Sequence, residues 1–259
     1  MTKQPKSLIR VFPRRTAMTP DDDLAFVGDP PLLRPPADAV GEVHVSCCFY
    51  WHVREAVRLY HAWRAVYPSA KVRLGGPVWH RAGGPPEKFT PGRYIARGVT
   101  FTSRGCPDHC RFCLVPNWEG QLQEIDIEPG YVIQDNNILA TSRAHFRKVC
   151  EMLAGQKRRP QFQGGLEAAR LSDWHVEKLR GLKLPARNAL WFSCDRDGEE
   201  GPLTKAIGKL KETAGPKGDA AGKVVDSLKA RAKNWTPEQR KQVKKTLRDA
   251  GYPSLAEKI

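Results

Sequence analysis

The sequence predicts an α/β protein of parallel strands and crossover helices: a small N-terminal βαβ subdomain, about four further βα units, and a basic helical tail. Three observations predict it. Between Glu42 and Pro77 a strand-like pattern gives way to a helical one and then to a second strand. From Val99 to Leu210 the same alternation runs four times. After that it stops, and lysine-rich helical segments take over. At 259 residues and 40% hydrophobic content, the chain can hold one large domain or two small ones.

Residues 1–40 are proline-rich. Pro30-Pro31 and Pro35-Pro36 break regular structure, so Val11-Phe12 and Leu24–Val27 are expected to be short strands or turns within an irregular segment. Residues 41–98 form the βαβ subdomain and its connector. Glu42–Tyr50 is a strand by its β-branched and aromatic content. Ala56, Leu59, Tyr60, Trp63 and Tyr67 then recur at helical spacing until Pro68. Lys71–Leu74 is the second strand, closed by Gly75-Gly76-Pro77. Cys47 and Cys48 fall on opposite faces of their strand and are poor partners for one metal.

Residues 99–212 carry the four-unit series. The strands are Val99–Ser103, Tyr131–Leu139, Gln161–Leu166 and Ala189–Asp195. Thr141-Ser142 caps a helix with Phe146, Val149, Cys150 and Leu153 inward, which makes Cys150 a core residue. Ser172-Asp173 opens the next helix, with Val176, Leu179 and Leu182 inward, and Leu203, Ala206, Ile207 and Leu210 line the last. Residues 213–222 read as a linker. The tail, 223–259, holds one helix near Val224–Lys233 and a second opened by Thr236-Pro-Glu-Gln239, which has capping-box spacing with proline at the first helical position.

The formal net charge is +15, and from Leu203 onward 14 Lys and Arg face only 6 Asp and Glu. Such a tail suits nucleic acid or another anionic partner, and equally a solvated helix face. No apolar run approaches the ~20 residues of a membrane span. The N-terminus lacks the apolar block of a secretory signal, so a soluble cytoplasmic protein is expected. The seven cysteines are clustered rather than spread like a disulfide framework.

Three of those cysteines stand in Cys106-Pro-Asp-His-Cys110-Arg-Phe-Cys113, directly after a predicted strand and a glycine. Thiolates at C-x3-C-x2-C can hold zinc or iron–sulfur on one face of a metal centre, but no second C-x2-C pair completes a four-cysteine site. His109 lies inside the loop, where a fourth-ligand geometry is tight. The incomplete set leaves one coordination position for something other than the protein.

The spacing, together with Phe112 before the third cysteine, resembles the cluster loop of the radical S-adenosylmethionine family. Thr102-Ser-Arg-Gly-Cys-Pro107 with Phe112-Cys113 and Pro116 is similar to members that carry an N-terminal cobalamin-type domain, and residues 41–77 are similar to such a Rossmann-like domain in layout. The resemblance implies a radical S-adenosylmethionine barrel in which Cys106, Cys110 and Cys113 bind three irons of a 4Fe-4S cluster. S-adenosylmethionine then takes the fourth iron and is cleaved reductively to a 5′-deoxyadenosyl radical that acts on an unidentified substrate. It also implies an electron donor such as a flavodoxin or ferredoxin. Phe112 would approach adenine. Asp135, Asn136 and Asn137 stand where relatives receive the methionyl amine. Gly164 and Gly165 would let a ligand lie close to the backbone, and Ser193 and Asp195 would meet the ribose or carboxylate. Turn, capping and tight-turn roles remain open for these last residues. No Asp-x-His-x-x-Gly motif is present, so cobalamin is not expected.

A six-unit barrel at ~30 residues per unit needs on the order of 180 residues. Only about four units are visible, so the C-terminal part of the barrel is expected to be missing or replaced by the basic tail. Glu167 and Arg170, just after the third strand, are expected to be solvated. The second function class is a non-catalytic zinc or iron–sulfur protein that binds nucleic acid through its basic surface.

Overall fold

The structure, a computed structural model, describes residues 6–79, 89–185, 189–193, 198–213, 236–249 and 257. It is a mixed α/β protein with two compact units, Met1–Arg97 and Gly98–Ile259.

The first unit is a four-stranded, wholly parallel sheet of β1 (Ser7–Phe12), β2 (Ala25–Val27), β3 (Val40–Ser46) and β4 (Lys71–Gly75), in the order β2-β1-β3-β4. Helix α1 (Val53–Val66) buries Ala56, Leu59 and Trp63 in the same core as Ile9, Val11, Val43 and Val45. Each fully buried Val, Leu or Ile side chain of this core contributes about 1.5–3 kcal/mol. Trp63 and Tyr67 also donate from their polar tips to Gly28 O (3.0 Å) and Pro35 O (2.7 Å), which fastens the chain around β2 over the helix.

The first unit corrects the expectation that residues 1–40 are irregular. β1 is an interior strand, flanked by β2 and β3. No proline falls within it: Pro13 lies just beyond its end, where no ladder N–H is lost. Arg10, buried on this strand, donates to Gly92 O (3.1 Å) and Arg93 O (2.9 Å) and pairs with Asp22.

The second unit begins with β5 (Val99–Thr100), then a short hairpin of β6 (Ser103–Arg104) and β7 (Gln123–Glu124) that encloses the one-turn helix α2 (Val115–Trp118). β8 (Val132–Ile133), α3 (Arg143–Ala154), β9 (Gln161–Glu167), α4 (Asp173–Arg180), β10 (Leu190–Ser193) and α5 (Glu200–Thr213) follow. The sheet order is β10-β9-β8-β5, all parallel, so each strand pairs with the one before it in the series. Phe146, Val149 and Leu153 of α3, Val176 and Leu179 of α4, and Leu203, Ile207 and Leu210 of α5 share one core with Ile133, Phe162 and Phe192 of the sheet.

The two middle helices start where their caps are written. Ser142 Oγ accepts from His145 N–H (3.1 Å). Ser172 Oγ accepts from His175 N–H (3.4 Å) while His175 Nδ1 accepts from Ser172 N–H (3.2 Å), closing a capping box with histidine in the position usually held by Glu or Gln.

Helix α6 (Pro237–Asp249) begins at the predicted cap and packs against α5. Arg240, Lys241, Lys244, Lys245 and Arg248 fall at i, i+1, i+4, i+5 and i+8 and line a recess of about 800 Å³. The predicted linker from 214, the helix near Val224–Lys233, Cys194 and Asp195 lie outside the described residues. Among the described residues, no helix is long and apolar enough to cross a membrane.

Candidate functional site

The parallel series brings the carboxyl ends of β5, β8, β9 and β10 to one edge of the second unit's sheet. At that edge stand the cysteine loop, Asp135–Asn137 after β8, Glu167 at the end of β9 and Ser193 at the end of β10. The register sets Ser193 opposite Glu167.

The base of the cysteine loop is fixed by a buried carboxylate. Asp135 accepts from Thr102 N–H (2.6 Å), Thr102 Oγ1 (2.5 Å) and Ser103 Oγ (2.8 Å), and all three residues are almost fully buried. Burial pushes the Asp135 carboxyl above its ordinary range, against the pull of those donors. The group that the resemblance assigns to a cofactor amine is therefore engaged inside the protein. Its work here is to hold the strand that leads into the loop.

Gly105 follows at φ +74, where an added Cβ would sit 2.2 Å from Gln121 O, so only glycine makes this turn. Cys106 N–H then donates to Gly120 O (3.2 Å). Glu119 gathers the return strand of the loop. It accepts from Arg104 (2.5 Å), Gly105 N–H (3.1 Å) and Asn136 Nδ2 (2.6 Å).

The loop is also tied down from the far side. Asp108 accepts from Arg170 (2.7 Å) and from Asn137 Nδ2 (3.0 Å). Glu167 accepts from Arg170 Nε (2.5 Å) and Asn137 Nδ2 (3.1 Å). Glu167 and Arg170, expected to be solvated, instead clamp the loop to the end of β9. Burial raises the Asp108 carboxyl, but the hydrogen bond and charge of Arg170 outweigh it and hold the group below the usual range. Asn137 is 4% exposed, and its Oδ1 has no hydrogen-bond partner among the described residues. A buried acceptor left in this state is costly and marks a place for a donor.

Cys106, Cys110 and Cys113 are half-buried and outside any disulfide. The Cys106 thiol is pushed up by burial and lies 3.7 Å from Asp108 Oδ2, while Cys113 N–H donates to Cys110 O (2.9 Å) in a turn. Among the described residues, no three His, Cys, Asp or Glu side chains are already gathered as a metal-holding group. His109 Nε2 lies 3.4 Å from Gln121 Nε2. Phe112 and Leu114 are exposed on the same loop, at 61% and 47%. Cys150 sits on the buried face of α3, where burial pushes its thiol up to about 12.

Gly164 and Gly165 have a packing reason for lacking side chains. An added Cβ would lie 1.9 Å from Asp135 O at the first and 2.1 Å from Asn136 O at the second. Their backbone lies directly against the residues after β8, and Gly165 N–H donates to Asp135 O (3.0 Å). This differs from the ligand approach expected of them.

Asp108 and Glu119 carry no signal in the sequence for the contacts they make, and the Thr102-Ser103 stretch gives none for its bonds to Asp135. Asp108 and Arg170 are 62 positions apart, and no linear spacing joins them. Arg170→Ala should remove the clamp and lower Tm by about 2–4 °C, the size of an approximately 1 kcal/mol loss in a chain of this length. Because Asp108 is held below the ordinary carboxylate pKa of about 3.9, the clamp persists above that value and is lost as pH falls through the depressed one. Amide exchange in residues 106–113 should therefore stay slow at pH 5 in the unaltered chain and be fast there in the Arg170→Ala variant. Equal rates in the two would remove the clamp from the account.

No protein-family model matches the chain, and no curated protein matches it at a significant level.

Proposed function

We propose that the chain is a radical S-adenosylmethionine enzyme with a Rossmann-like unit ahead of a shortened barrel, acting in the cytoplasm on a substrate brought to the carboxyl edge of β5, β8, β9 and β10. One observation carries the reading. Three half-buried thiols at C-x3-C-x2-C follow the first strand of a sequentially ordered parallel sheet, on a loop anchored at its base and at its far side.

The donor set fits a 4Fe-4S cluster with one iron left open. Three sulfurs lie on one loop, and the remaining described cysteine of this unit, Cys150, is buried in the core. The unpartnered Oδ1 of Asn137 and the carboxylate of Glu167 offer acceptors to an ammonium group, such as the methionyl amine. When bound, the cluster supplies the electron that cleaves the sulfonium of S-adenosylmethionine and yields a 5′-deoxyadenosyl radical.

The chain's own residues would do the rest. Cys106, Cys110 and Cys113 hold the cluster. Asp135 and Glu119 keep the loop seated on the sheet, and Asn137 and Glu167 orient the cofactor's amino group. Ser193, opposite Glu167, adds a hydroxyl at the same edge. Phe112 provides an apolar face for adenine. A flavodoxin or ferredoxin would deliver the electron, and the basic face of α6 suits a nucleic acid or another anionic partner.

Anaerobic purification followed by iron, sulfide and zinc analysis tests the reading, together with an assay for 5′-deoxyadenosine in the presence of reductant and S-adenosylmethionine. Brown protein that forms 5′-deoxyadenosine is the expected result. A colourless protein holding one zinc would overturn it in favour of a non-catalytic metal protein that binds nucleic acid through α6, the reading that the basic face independently favours.

A further inference from the structure

The first unit carries an aromatic surface that the proposed chemistry does not use. Phe49, Tyr50 and Trp51 are consecutive, large and exposed, at 39%, 55% and 75%. Phe49 and Trp51 stack on each other at 4.8 Å and 14°, and His52 meets Phe49 edge-on at 5.7 Å. Burial of these rings would stabilise the unit, so the exposure of the Phe49–Trp51 stack, with Tyr50 between the two in sequence, marks a binding surface.

The backbone beneath this group is firmly held. Cys47 N–H donates to Gly75 O (2.8 Å), the Cys47 thiol donates to Phe49 O (3.3 Å), and His52 N–H returns to Phe49 O (3.0 Å). Gly76 has φ +106, and an added Cβ there would sit 2.4 Å from Cys47 O, so β4 closes tightly on this turn. The aromatic group is thus presented by fixed backbone.

Its place in the sheet is also informative. In the order β2-β1-β3-β4 the chain moves from β1 to one neighbour and then to the other, so its direction reverses between β1 and β3. The loops after these two strands diverge, and the crevice outside their carboxyl ends is where open parallel sheets take ligands. The register Val11↔Val45 brings the loop after β1, with exposed Arg14 and Arg15, to the same end as Phe49–Trp51. Arg54, exposed in the first turn of α1, adds a third cation. The nearby carboxylates of Asp29 and Glu55 are both paired with Arg58. What faces solvent at this end is therefore stacked aromatic surface flanked by positive charge.

We propose that this end of the first unit is a binding site for single-stranded nucleic acid. A base stacks on Trp51, and Arg14, Arg15 and Arg54 contact the phosphates. Duplex does not fit this surface, because its bases are already stacked on each other. All of these residues belong to the first unit and none is a cysteine of the loop, so binding is expected to be independent of iron content.

The test uses the full chain as purified, with fluorescein-labelled 12-nucleotide oligouridine and oligothymidine, a duplex of the same length, and uridine monophosphate. Trp51→Ala is expected to weaken oligonucleotide binding about 10-fold, while Trp51→Phe retains it. Arg14→Ala with Arg15→Ala should lower the slope of log K against log salt by about 1.4, two single-strand phosphate contacts' worth. Because Trp51 is largely exposed, the circular dichroism and Tm of its variants should match those of the unaltered chain. Reversal of Lys241, Lys244 and Lys245 to Glu separates this site from the basic helix. If that reversal abolishes binding and Trp51→Ala leaves it unchanged, the proposal is wrong. Binding of the duplex, or of the mononucleotide, as tightly as the 12-mer would also overturn it.

Discussion

Replacement of Cys106, Cys110 or Cys113 by alanine is expected to drop bound iron from roughly four atoms per chain to below about one and to abolish formation of 5′-deoxyadenosine. The loss should be equally severe at each position, because three thiolates are the fewest that hold such a cluster with one iron open. Removal of a neighbouring group that only orients a metal ligand typically costs 10–100-fold, so loss of a ligand should lower product by more than about 100-fold. Cys150→Ala is the internal control. Its thiol lies on the buried face of α3, and burial pushes its pKa up to about 12, so it is a core group and not a ligand. That variant should retain iron and product while losing about 1 kcal/mol of stability through its small cavity. Iron retained at full level in Cys110→Ala would remove the loop from the mechanism. Iron lost equally in Cys150→Ala would indicate a folding effect.

The second large effect is expected at Gly164. An alanine Cβ would stand 1.9 Å from Asp135 O and 2.9 Å from Asp135 N, and both are backbone atoms. No rotamer change relieves such a clash. Either β9 or the chain after β8 must move, at a cost of about 3 kcal/mol or more. The movement would reach the cysteine loop, since the displaced residue is the one whose carboxylate holds Thr102 and Ser103. Gly164→Ala should therefore lower Tm by about 6–12 °C, if the chain folds at all, and accelerate amide exchange at residues 102–106. Gly201→Ala supplies the contrast. It lies in the first turn of α5, with nothing within 4 Å of its added Cβ, and should stabilise the chain by about 0.4–1 kcal/mol. If the two alanines behaved alike, the close approach at Gly164 would be refuted.

Much of this architecture was legible in the linear pattern. The apolar spacings of Ala56, Leu59 and Trp63, of Phe146, Val149 and Leu153, and of Leu203, Ala206, Ile207 and Leu210 reappear as buried helix faces. Ser142 and Ser172 cap the helices they precede, because a cap is a contact between residues three apart. Cys47 is buried and Cys48 exposed, but β3 ends at Ser46, short of the expected Tyr50, so the loop that follows the strand and not strand alternation sets their sides. β1 is longer than the short strand or turn expected at Val11-Phe12, because Pro30-Pro31 and Pro35-Pro36 lie well beyond it in the chain. What matters is where each proline falls, and Ser7–Phe12 contains none.

The sequence by itself determined the local matters: an α/β chain with parallel strands, its helix starts, its buried faces, and three thiols at a spacing suited to a metal centre. These follow from periodicity and from contacts within about one turn of chain. Tertiary structure alone decided what surrounds those thiols. Asp135 turned inward to hold the strand before the loop, Gly164 and Gly165 gave up side chains to the backbone after β8, and Asp108 met Arg170 across 62 positions. Each of these depends on strand pairing, which brings together residues whose separation along the chain carries no periodic signal.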